Sequence, residues 1–106
     1  MTKKDYDELT KALELAETEA LKYADYDDGG TCNFDSPMVI LKGTSIKTLE
    51  QLYGEHYGVY KLYAGAYIIG NLIMKGQGNR HTKMAEAFSE KLRQLGYNSY
   101  VHYVMD

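Results

Sequence analysis

The chain has 106 residues, 44% apolar and 25% charged, with a net charge of −3 and a single cysteine, Cys32. That length carries one modest core and excludes two, and the composition is that of a folded domain and not of a disordered tail. A lone cysteine excludes an internal disulfide and a multi-cysteine zinc site, and no apolar run approaches the roughly eighteen residues of a membrane span.

The N-terminal stretch lacks the apolar segment of a signal peptide, so the expectation is a cytoplasmic protein without membrane contact. Residues 1–106 are expected to form a single domain, with 1–28 an acidic N-terminal helix and 29–106 an α+β core. Thr2 followed by Asp5 has the form of a capping arrangement. Tyr6, Leu9, Leu13, Ala16 and Ala20 recur at helical spacing, which predicts a first helix over 3–25 with an acidic outer face. DYDDGGTCN then breaks the chain at Gly29 and Gly30.

SPMVILK predicts the first strand, short, apolar and headed by Pro37 where no ladder bond need be donated. Ser45 is placed to cap a short helix across GTSIKTLEQLYGEHYG, with Ile46, Leu49, Leu52 and Tyr53 as its apolar stripe. VYKLYAGAYIIGNLIM predicts two strands, 59–63 and 66–73, around a turn at Ala64 and Gly65. Met84, Ala87, Phe88, Leu92 and Leu95 share one face of a helix that starts near Asn79 and stops at Gly96. The closing YNSYVHYVMD alternates two sets of side chains, the pattern of a final strand. After the first helix the order is β-α-β-β-α-β, which fits a ferredoxin-like sandwich with a four-stranded antiparallel sheet.

Charge is unevenly divided. Residues 1–35 hold ten acids against four lysines, a balance of −6, and residues 36–106 hold eight bases against five acids, a balance of +3. A row of carboxylates can imitate nucleic-acid phosphates and enter a basic cleft. Eleven tyrosines and no tryptophan add rings with a polar tip. Tyr57, Tyr60, Tyr63, Tyr67, Tyr100 and Tyr103 invite comparison with sheets that stack RNA bases. The basic signature of such sheets is missing, so the favoured expectation is a tyrosine-filled face covered by the first helix.

KGQGNRHTKMAEAF supplies the main candidate site. Lys75, Gly76, Gln77, Gly78, Asn79, Arg80, His81 and Lys83 combine close backbone approach, a helix start and positive charge, the ingredients of a nucleic-acid or anion site. The stretch matches neither a Walker loop nor the dinucleotide fingerprint, and a glycine turn capped by Asn79 is the competing account. DDGGTCNFD supplies a second candidate loop with Asp28, Gly30, Cys32, Asn33 and Asp35. Its spacing departs from calcium-binding loops, and Cys32 has no histidine placed beside it by sequence. No metal ligand set, cofactor or catalytic residue is assigned. His81 and Arg80, with Asp28 or Asp35, could be imagined as an RNA-cleaving set.

DGGTCNFDSP, GQGNRHTKMAEAF and GYNSYVHYVMD resemble segments of small proteins of Gram-positive bacteria, their phages and mobile elements. The chain departs from that pattern at His81 and Val104, and the acidic first helix lies outside it. The resemblance implies an anti-defence role and is similar to that of anti-CRISPR inhibitors, with a type II CRISPR effector nuclease or its guide RNA as partner. The alternatives are a small enzyme that cleaves guide RNA and a regulatory domain that binds an anionic ligand. An apolar sheet face left open would add a homodimer.

Overall fold

The computed structural model describes residues 1–106 except 28, 31–33, 75, 77, 105 and 106. It is an α+β fold with an N-terminal helix, an open four-stranded antiparallel sheet and a C-terminal helix ahead of the last strand. Helix α1 (Lys3–Leu21) begins as expected. The Thr2 side chain accepts from the Asp5 backbone, and the Asp5 carboxylate accepts from Thr2 N at 2.8 Å. Those Thr2 hydrogen bonds hold the Asp5 carboxyl below its usual range. The helix is four residues shorter than the expected 3–25, because Tyr23 N bonds Ala20 O and Ala24 N bonds Leu21 O, tightening the last turn before the glycine pair.

Strand β1 (Ser36–Ile40) lies centrally, between β3 and β4. Its ladder to β3 runs only over Met38–Ile40, so Pro37 sits ahead of that ladder. Ser45 caps α2 (Ile46–Leu49), which runs through a π-helical turn at Glu50–Gly54 into α3 (Glu55–Tyr57). Leu49, Tyr53 and Tyr57 are the buried residues of this stretch, each four apart. On a regular helix such a row drifts by roughly 40° per step, and the widened turn takes up the drift. Leu52, expected in the stripe, is therefore turned out and exposed.

Strands β2 (Val59–Tyr63) and β3 (Ala66–Ile69) form the expected hairpin, with a register shift between Lys61 and Tyr63. β3 stops four residues earlier than the expected end at 73. Gly70 adopts φ 113°, and a 3-10 turn follows at Asn71–Ile73. A Cβ at Gly70 would lie 2.9 Å from Cζ of Phe88, so the chain bends where the ring needs room. Helix α4 (Gly78–Gln94) buries Met84, Ala85, Phe88, Ser89 and Leu92. Gly96 N bonds Arg93 O and Tyr97 N bonds Leu92 O, the paired bonds of a Schellman stop, which turns Leu95 outward against expectation. Strand β4 (Asn98–His102) closes the sheet, whose order is β2-β3-β1-β4.

One layer of side chains separates helices from sheet. Leu9, Leu13, Val39, Leu49, Tyr67, Ile69, Phe88 and Leu92 belong to a common core. Ser89 and Ser99, both fully buried, tie α4 to the sheet. Ser89 donates to Tyr100 O, and Ser99 donates to Met38 O at 2.6 Å. α1 packs chiefly along α4 and bonds the α2 region through Tyr6 to Thr44 and Thr10 to Tyr53.

Candidate functional site

The two segments singled out in the sequence meet in space. Asn79 N donates to Gly29 O at 2.9 Å, and the Asn79 side chain packs on Gly30. Arg80 Nε donates to Tyr26 O at 2.8 Å, and its stem lies over Gly76. Lys83 Nζ stands 5.8 Å from the centre of the Tyr26 ring. His81 Nε2 lies 2.5 Å from Asp35 O, so this nitrogen carries the proton and donates. The sequence cannot pair residues about fifty positions apart, and none of these contacts was legible there.

Asp35 is the hub. It is 4% exposed, and its carboxylate accepts from Thr82 Oγ1 at 2.8 Å and from Val104 N at 2.9 Å. Its neighbour Phe34 donates its N–H to Val104 O. Loop, helix start and chain end are thereby stapled by one buried acid. Thr82, Tyr26 and Val104 are functional parts of this junction that sequence reasoning missed. Asp35 offers His81 its backbone carbonyl, while its carboxylate is turned to Thr82 and Val104. Of the remaining candidates, Gly78 is the buried first residue of α4, whereas Asp28, Cys32, Asn33, Lys75 and Gln77 lie outside the described residues.

This geometry changes the electrostatic reading. Arg80 and Lys83 dock on Tyr26, which stands between Asp25 and Asp27 in the chain. The basic cluster therefore docks against the acidic loop of its own chain, through a backbone carbonyl and a ring. Asp7, Glu8, Glu14, Asp25 and Asp27 remain exposed. Asp7 pairs with Lys3, while the less exposed Glu17 and Glu19 pair with His56 and Lys22.

The tyrosines divide by face. Tyr57 and Tyr67 enter the core, and Tyr103 donates to Glu86 on α4. Tyr60, Tyr63 and Tyr100 are 55%, 58% and 51% exposed on the opposite face of the sheet. The first helix does not cover that face, contrary to expectation, because its apolar stripe is spent along α4. A separate groove of about 620 Å³ runs beside α1, with Leu15, Ile40, Leu41 and Tyr97 in its lining and Glu8, Lys11 and Lys42 at its rim.

Among the described residues no helix is long and apolar enough to cross a membrane, and no group of three His, Cys, Asp or Glu side chains is gathered as a metal site. Comparison with family models, with curated proteins and with solved structures yields no match.

Proposed function

We propose that this chain is a phage or mobile-element anti-defence protein of the anti-CRISPR kind, acting in the cytoplasm by binding a type II CRISPR effector nuclease or its guide RNA. The observation that carries a binding role on the protein side is the outward set of carboxylates. Glu8, Glu14, Asp25 and Asp27 face solvent, whereas Arg80 and Asn79 spend donors on backbone carbonyls of the neighbouring loop. RNA-guided effectors hold their heteroduplex in a positively charged channel. A helix bearing carboxylates is complementary to such a channel and competes with nucleic acid for it.

The architecture is read in the same proposal as a ferredoxin-like sandwich, supported by the antiparallel order β2-β3-β1-β4, with α1 as an addition.

The test is co-purification from a bacterial host that expresses a type II CRISPR system. The wild-type chain should recover the effector with intact guide, and Glu8→Lys with Glu14→Lys should lower recovery at least tenfold, with a weaker salt dependence. Equal recovery by wild type and variant at two salt concentrations would remove the carboxylate face from the reading. Recovery of neither effector nor guide discards the anti-defence role.

The RNA-cleaving alternative keeps His81 as its base through Nδ1, since Nε2 donates to the Asp35 backbone carbonyl and the Asp35 carboxylate is engaged by Thr82 and Val104. Shortened guide in the same preparation, with cleavage lost in His81→Ala, would bring that alternative forward. An anion at the start of α4 is less favoured, because Asn79 N is given to Gly29 O.

A further inference from the structure

The uncovered face of the sheet is built from alternate residues of all four strands. Tyr60 pairs with Ile68, Ile68 with Met38, and Met38 with Tyr100, so these four side chains form one row across β2, β3, β1 and β4. Ile68 is only 8% exposed and yet stands outside the main core, walled in by its row neighbours. The next row pairs Tyr63 with Ala66 and Ala66 with Ile40. Beyond Ser36 and His102 the same register brings Phe34 opposite Val104, joined by Phe34 N to Val104 O, and both are exposed. None of these paired positions is Asp, Glu, Lys or Arg.

We infer that this face is a docking surface for a second copy of the same chain, sheet against sheet. Three observations choose that occupant. First, the size fits. Strand spacing near 4.8 Å and a rise near 3.3 Å per residue give three strands of five residues and one of four a footprint of roughly 19 by 17 Å, or about 320 Å². The rings of Tyr60, Tyr63, Tyr100 and Phe34, each a little over half exposed, stand up from that footprint and bring the accessible area to on the order of 500 Å² per copy, so two copies cover roughly 1,000 Å², where specific interfaces begin. Second, the charge fits. A chain of net charge −3 repels itself elsewhere, but this face sets no like charges opposite each other when it meets its own copy. Single-stranded nucleic acid asks for lysines and arginines around the stacking rings, and the face has none at its paired positions. Third, the face is self-complementary. Tyrosines stand at both edges, on β2 and β4, with Met38 and Ile68 between them. A two-fold axis parallel to the strands lays Tyr60 of one copy over the opposite edge of the other, so ring packs against ring around an aliphatic centre.

The proposal concerns the purified chain alone and stands apart from the CRISPR reading. It is tested by sedimentation equilibrium of the full chain across a hundredfold range of concentration, with far-ultraviolet circular dichroism as the check on folding. Wild type should sediment at twice the 12.1 kDa chain mass. Tyr60→Lys with Tyr100→Lys should sediment at the chain mass with an unchanged spectrum, since both side chains are exposed in one copy and placing a charge there leaves the core intact. A wild-type chain that stays monomeric throughout overturns the inference. So does a double variant that remains dimeric, because another surface is then responsible. Binding of a fluorescent single-stranded oligonucleotide by monomeric wild type, lost in the double variant, would hand the face to nucleic acid and also overturn it.

Discussion

Asp35 holds three segments with one side chain, and its replacement separates an energetic hub from a ligand-binding acid. Asp35→Ala leaves the Val104 N–H and the Thr82 hydroxyl without their acceptor, a loss of about 2–4 kcal/mol when such partners are shielded from water. Differential scanning calorimetry should show a fall in Tm of roughly 10–20 °C for a domain of this size, and Asp35→Asn, which keeps one acceptor oxygen, about half of it. A change in Tm below a degree for both variants would show that the junction is not a staple. The residue types of this junction were visible in the sequence, the pairings were not. An aspartate after a glycine pair reads equally well as metal ligand, base or turn former, and only the fold brings Thr82 and Val104 to its two oxygens.

At the scale of elements, local chemistry was legible where one residue decides locally. Thr2 and Asp5 announced the start of α1, Ser45 the start of α2, and Gly96 the end of α4. The errors arose where a distant ring or a helix irregularity decided. The β-branched Ile69 and Ile73, with apolar Leu72, read as a strand continuing to 73, but Phe88 requires the bare backbone of Gly70 beneath it. Gly70→Ala meets both the ring and a positive φ, so it should cost about 3 kcal/mol. Urea denaturation should show a lower midpoint with an unchanged slope. An unaltered midpoint would mean that Phe88 moves aside without cost. Leu52 belongs to the buried stripe on a regular period of 3.6, and the π-helical turn in that stretch breaks the period and turns it outward.

For the molecule as a whole, the many tyrosines bind stability to pH. Burial, and then the nearby Glu17 carboxylate, push the Tyr57 phenol far above its ordinary 10.0. Burial also raises Tyr53, Tyr97 and Tyr103. A phenol whose pKa is raised by folding stays neutral in the folded state while its unfolded counterpart ionises. Its contribution is therefore complete below about pH 10 and is lost as pH climbs from there toward the folded-state value. Denaturation midpoints should be flat on the neutral side and fall above about pH 10. Tyr57→Phe, which has no proton to lose, should retain a larger fraction of its own neutral-pH stability at about pH 11 than wild type does. Parallel profiles for the two proteins would contradict the assignment.

The sequence by itself determined the helices and strands, their order, most of their caps, and the net imbalance of charge, because each follows from periodicity or from residues within a few positions of one another. Only the tertiary structure decided what those elements present to a partner. It placed α1 along α4 and left the tyrosine face of the sheet uncovered by any described helix, and it turned Arg80 and Lys83 onto the acidic loop while leaving carboxylates outward. The reason is physical. An amphipathic stripe records that a surface must be buried, but it carries no record of which neighbour buries it, and a count of charges says nothing of which charges meet.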